Sequence, residues 1–151
     1  MKKKNTAFTL VEILIVVIIL GILAAIVIPQ FSEASNEARL AGLQSDLQTI
    51  RSQVELYKIQ HLDNTPQDDA TTESTDFWTQ LTTKTNIDGS SGGDLGPYIM
   101  KAPTNPFRSS DAVFIGAPAG AAATDGWAFD TSTNTFYAVG TGPDSEDLST
   151  Y

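Results

Sequence analysis

The chain has no cysteine, one histidine and half as many basic as acidic residues, and each shortage closes off a kind of chemistry. Without cysteine there is no disulfide framework, no thiolate metal site and no thiol nucleophile. Nine Lys and Arg stand against eighteen Asp and Glu, a formal net charge of -9. Nucleic-acid binding is therefore not expected, because phosphate contacts need clustered basic side chains. The lone histidine, His61, lies one step past an apolar helical seam ending at Tyr57, which reads as a helix-end residue packed under a folded head rather than a general base. No G-x-S-x-G, H-E-x-x-H or phosphate-cradling glycine loop occurs, so no catalytic constellation is visible. At 151 residues the chain has room for about one small domain besides any membrane segment.

What the chain does have is an apolar run that organises the rest. From Phe8 through Ile28 the only charge is Glu12, and this run follows Lys2, Lys3 and Lys4. About 20 apolar residues at ~1.5 Å each cross the hydrocarbon core of a bilayer, and the lysines mark the cytoplasmic flank. A carboxylate a few residues into a spanning helix is costly and needs a partner. Cleavage between Ala7 and Phe8 would create an α-amino group four residues from Glu12, within reach along one helix or between staggered helices. An ordinary secretory signal has an apolar core of ~7–15 residues before a small-residue cut site. This run is longer, holds Glu12 and continues apolar past Ala24-Ala25. A plain single-pass anchor accounts for the length and the lysines but leaves Glu12 unexplained.

The short basic leader followed by FTLVEILIVVIILGILAAIVIPQF resembles the signal segment of type IV pilins and of the pseudopilins of type II secretion systems. The resemblance implies cleavage by a prepilin peptidase before Phe8, methylation of the new amine, and a docking role for Glu12 in filament assembly. Ala7 stands where the family usually has Gly. The resemblance also implies a helix that unwinds between Gly21 and Pro29 in the filament; the residues alone are equally consistent with a simple kink at Pro29. Many type IV pilins carry a C-terminal disulfide, so the missing cysteines lean towards a pseudopilin or a disulfide-free pilin.

Past Pro29, Leu40, Leu43, Leu47, Ile50, Val54 and Tyr57 recur at spacings of three and four, the seam of an amphipathic helix. Glu33, Glu37, Asp46, Arg51 and Glu55 are left for the wet side, with Arg51 and Glu55 an i, i+4 pair. One helix is expected from about Phe8 to His61. Ala34, Ala38, Ala41 and Gly42 form a small-residue patch suited to close helix packing, or simply to helix formation. Asp63 to Asp76 is a polar, acidic loop, and Phe77-Trp78-Thr79-Gln80-Leu81 a short helical turn whose aromatics pack on the long helix. Asp88 to Asp94 is a glycine-rich turn cluster without the spacing or closing Glu of an EF-hand. Gly96-Pro97-Tyr98 and Pro103-Thr104-Asn105-Pro106-Phe107 resemble the helix-to-sheet connection of the major pseudopilin. Strands are expected at Ala112–Ile115, Trp127–Asp130 and Thr135–Val139, the last two a hairpin.

The fold expected is α+β: a long N-terminal helix, membrane-spanning in its first half, packed by its second half on a small antiparallel C-terminal sheet. The segments are a leader at 1–7, an assembly helix at 8–30, an amphipathic helix at 31–62, a connecting region at 63–111, and a sheet with an acidic tail at 112–151. The tail carboxylates Asp144, Glu146 and Asp147 are oxygen ligands suited to Ca²⁺, the one candidate cofactor, with a merely solvated tail as the other reading. The resemblance implies a structural, non-enzymatic filament subunit: a secretion pseudopilin, or alternatively a pilus subunit for adhesion, motility or DNA uptake. It also implies as partners further copies of the chain, the prepilin peptidase, an inner-membrane platform, an assembly ATPase and membrane lipid. A membrane-anchored binding module or enzyme completes the alternatives.

Overall fold

The computed structural model describes residues 8–69, 74–143 and 145–151. Its first element, α1, is an α-helix over Leu10–Gln60, followed by α2 at Ser74–Thr82. Three short strands follow: β1 at Val113–Ile115, β2 at Trp127–Asp130 and β3 at Thr135–Ala138. Contacts divide the chain into two units, Met1–Ala38 and Arg39–Tyr151.

In the first unit the described residues are helical from Leu10 onward, and all but Asn36 are exposed. The helix starts where its sequence says it should. Thr9 precedes it and its Oγ1 accepts a hydrogen bond from the Glu12 N–H at 3.3 Å, while the Thr9 carbonyl accepts from the Ile13 N–H. That is half of a Thr-x-x-Glu capping box, which satisfies one of the orphan donors of the first turn. The helix continues through Gly21 and Pro29. Pro29 has no N–H, so the Ala25 carbonyl lacks its usual helix donor, a local weak point in the helix.

The second unit holds the core. Leu43, Leu47, Ile50, Val54 and Tyr57 of α1 are at most 2 % exposed, with Leu40 partly buried beside them. Against this seam lie Phe77, Trp78 and Leu81 of α2 and Val113, Trp127, Phe129 and Phe136 of the sheet. Burying each large apolar side chain is worth roughly 1.5–3 kcal/mol, so the three-four spacing is what holds α1 to the head. The aromatics meet as a cluster, with the Phe77 ring 5.5 Å from Phe136 and 5.2 Å from Phe129. Both indole N–H groups find carbonyls: Trp78 Nε1 donates to Asp111 at 2.6 Å and Trp127 Nε1 to Pro103 at 2.9 Å.

The sheet is mixed rather than wholly antiparallel. β2 and β3 form the expected hairpin, with Phe129 opposite Phe136, but β1 runs parallel to β2, with Phe114 opposite Ala128. The physical reason is the connection. The stretch 116–126 is long enough to return the chain to the starting end of the sheet, which a parallel pair requires and a tight turn forbids. β2 is central in the order β1-β2-β3, and its burial reflects this: Trp127, Ala128 and Phe129 are fully buried.

Three further differences concern polar side chains, the tail and α2. Arg51 does not pair with Glu55. Its Nε donates to the Phe136 carbonyl at 2.9 Å and its Nη1 to the Tyr151 carbonyl at 2.8 Å, which covers an edge of β3 that would otherwise stay open to pairing. Glu55 faces Lys58 instead, at 3.6 Å. The tail is not simply solvated: Leu148, in a 3-10 turn over Leu148–Thr150, is fully buried, and Tyr151 packs against the core. α2 is also longer than the turn expected at 77–81, beginning within the region read as loop.

Candidate assembly site

The site is the N-terminal end of α1. Phe8 stands just outside the helix, and Glu12 lies in its first turn, where the partial positive charge of the helix N-terminus favours a carboxylate. Glu12 thus has a local role besides any role between chains. Around it, Leu10, Val11, Ile13, Leu14, Ile15 and Val16 are exposed, and the pattern continues through Ile28 and Phe31. This helix is long and apolar enough to cross a membrane. A surface of that kind has no stable place in water; it needs lipid or other apolar helices. Ala7, on the leader side of the expected cut, lies outside the described residues.

Sequence reading missed Thr9, whose hydroxyl caps the helix. The signal was legible, since Thr9-Leu10-Val11-Glu12 is the spacing of a capping box. Its consequence is that the first-turn geometry holding Glu12 is built by a residue adjacent to the proposed new N-terminus.

The remaining candidates sit elsewhere, in the head. His61 is fully buried, stacked face to face on Tyr57 with centroids 3.7 Å apart. Its Nδ1 lies 3.0 Å from the Tyr57 carbonyl and its Nε2 2.9 Å from Thr85 Oγ1. Trp78 is 8 % exposed within the core. Asp88 accepts from the Ser90 N–H and hydroxyl, and those bonds hold its carboxyl below the usual range. Of the tail carboxylates, Asp144 lies outside the described residues. Asp147 caps the final 3-10 turn by accepting from the Ser149 N–H at 2.9 Å, which lowers its carboxyl in the same way. Glu146 lies in the same loop, where its carbonyl accepts from the Gly142 N–H at 2.9 Å. Among the described residues no group of three or more His, Asp or Glu side chains is arranged to hold a metal ion.

A capped apolar helix carrying one first-turn carboxylate, continuous with an α+β head, defines a prepilin-type protein. Residues 2–28 match the model of the prokaryotic N-terminal methylation motif. Over 107 residues the chain is 33% identical to the type II secretion system core protein G of Vibrio cholerae serotype O1, covering 70% of this chain and 67% of that protein. The chain belongs to the type II secretion system core protein G family. It is also 38% identical over 58 residues to the core protein G of Pseudomonas aeruginosa, covering 38% of this chain and 41% of that protein. The type IV major fimbrial protein FimA of Dichelobacter nodosus is 40% identical over 55 residues, 36% of this chain and 35% of that one. The chain thus matches about two-fifths of the length of several curated relatives. No solved structure matches significantly.

Proposed function

We propose that the chain is a structural subunit of a type II secretion pseudopilus, membrane-anchored by α1, released from its leader before Phe8 and polymerised into a helical filament. The observation that carries this reading is the exposed apolar stretch of α1 as far as Ile28, in which Glu12 is the one charge. Such a helix serves as an anchor in lipid and as filament core once neighbours replace lipid. In that dry core the Phe8 amine, N-methylated, pairs with Glu12 and removes the cost of a lone buried carboxylate. The lysines keep the leader cytoplasmic, which places the head on the periplasmic side of the inner membrane. The partners are further copies of the chain, a prepilin peptidase, and the inner-membrane platform with its ATPase. The role is mechanical rather than catalytic.

Similarity to a fimbrial protein favours a second reading, a surface pilus, in which the same helix serves the same packing. The two part at the phenotype: loss of the chain stops secretion of exoproteins in the first and removes surface fibres in the second. For the tail, calcium held by Asp144, Glu146 and Asp147 remains a proposal, and isothermal titration of the purified chain with millimolar calcium tests it; no heat dismisses it.

The decisive measurement is intact-mass and N-terminal peptide spectrometry on the chain from its native membrane. A chain starting at N-methylated Phe8 is expected. A chain still carrying Met1 to Ala7 would leave Glu12 without a nearby amine and would overturn the filament reading. Glu12→Ala then separates the roles: insertion should be normal and filaments lost.

A further inference from the structure

The turn that follows α1 carries a leucine, Leu62, whose apolar surface is left mostly uncovered by the single chain. The Asp63 N–H donates to the Lys58 carbonyl at 2.9 Å and the His61 N–H to the same oxygen at 3.2 Å, the hydrogen-bond pattern of a left-handed C-terminal cap. Glycine is the residue that fits such a cap, yet here it is Leu62, at φ 57°, followed by Asp63 at φ 71°. Leu62 therefore carries backbone strain. Its side chain is largely uncovered within the chain, the residue being 72 % exposed, and Ile59 one turn earlier is 79 % exposed. Strain together with exposed apolar surface at one corner points to a contact made outside the molecule.

The head also carries a receptor of matching character. An open cavity of about 370 Å³ is lined by Gln44, Leu47, Gln48, Arg51, Ser52 and Tyr151. Arg51 is the one charged side chain among these; its Nε and Nη1 already donate to the Phe136 and Tyr151 carbonyls, which leaves its Nη2 for a further acceptor. At the corner, Asp63 stands beside Leu62 with its side chain 93% exposed, 3.9 Å from Lys58. We propose that the Ile59–Leu62 corner of one copy seats in this cavity on the next copy, with Asp63 facing the Arg51 side. The inference rests on the polymer reading above. Corner and cavity lie on the same helix, separated by roughly 18 Å of helix rise, so they cannot satisfy each other within one chain. A contact between two different patches is heterologous, and it propagates instead of closing. A lipid surface fits the corner poorly, because Asp63 and the nearby Glu55 would face anionic headgroups.

The absence of native cysteine makes the test clean. The full chain carrying both Leu62→Cys and Gln48→Cys is assembled in its native membrane and oxidised. A ladder of disulfide-linked multimers is expected from the double variant and none from either single variant. Filaments that form without a ladder, or an adduct whose mass is that of another protein, overturn the proposal. If the unsubstituted chain forms no filament at all, the polymer reading fails, and the contact with it. A second variant separates assembly from folding. Leu62→Gly removes the apolar knob and the strain together, so the thermal midpoint should stay level or rise while filament yield falls at least tenfold. Unchanged filament yield in Leu62→Gly overturns the proposal.

Discussion

At the scale of single residues the head is fastened by a few polar groups held among rings, and Tyr57 is the plainest case. Its ring stacks on His61 and meets Tyr98 edge-on at 5.3 Å. Its hydroxyl donates to Asp69 Oδ2 at 2.8 Å, and Asn64 Nδ2 donates to the other oxygen at 2.9 Å. Burial first, and then the bond to a carboxylate, push the phenol far above its ordinary value. The sign of the consequence follows. The folded chain keeps Tyr57 neutral while the unfolded chain ionises it near pH 10, so this contribution is complete below that value and is lost as pH rises past it. In an absorbance titration of phenolate, the last of the tyrosines should therefore titrate only together with loss of the near-ultraviolet circular dichroism. Tyr57→Phe should abolish that coincidence and destabilise the head by about 1–2 kcal/mol at neutral pH, since it takes one of two donors from Asp69. A Tyr57 that titrates freely in the folded state would contradict this account.

At the scale of elements, how much was legible depended on whether the information was local. The seam of α1 was readable because periodicity is a property of a single helix, and the β2–β3 hairpin because its turn lies in sequence between its strands. The sense of β1 was not readable, since two strands separated by eleven residues can pair either way and only the path of the connection decides. Arg51 likewise looked paired to Glu55 by spacing, whereas a backbone carbonyl 85 positions away is its partner. Of the candidate site, Phe8 and Glu12 are marked in sequence by a lone carboxylate in an apolar run, and the cap at Thr9 is legible only in the Thr-x-x-Glu spacing. Asn105 shows the same limit most sharply. It lies in the stretch expected to connect helix to sheet, yet it is fully buried. Its Nδ2 donates to the Gly126 carbonyl at 2.7 Å and the Val139 carbonyl at 3.0 Å, while its Oδ1 accepts from the Phe107 N–H at 2.9 Å. One side chain thus stitches the connecting segment to both sides of the hairpin. Asn105→Ala should cost about 2–4 kcal/mol, because buried backbone groups lose their partner. Asn105→Asp, nearly the same shape but without donors, should be at least as damaging. Thermal melts of the two variants decide it, and a neutral Asn105→Asp would mean that these bonds do not hold the segment.

At the scale of the whole molecule, charge sets a condition on assembly. The chain carries a net -9, and the proposed removal of a leader that holds three lysines would make it more acidic still. Growth of the proposed filament would bring identical acidic heads together, and so work against like-charge repulsion at every added subunit. Against this stands local attraction of the kind proposed between Asp63 and Arg51, but a surface pair is worth only about 0–1 kcal/mol. Repulsion summed over many carboxylates therefore outweighs it. Screening changes steeply over the accessible range, the Debye length falling from about 30 Å at 0.01 M salt to about 8 Å at 0.15 M. Filament yield from the processed chain, measured by sedimentation, should accordingly rise with ionic strength over that interval. Divalent cations should act at lower concentration than sodium, because they gather more strongly around clustered carboxylates. Apolar contacts along α1 and at Leu62 are not weakened by such modest salt, so nothing in the packing opposes the trend. A yield that falls as salt rises would mean that complementary charge pairs, not apolar burial, carry the contact between heads.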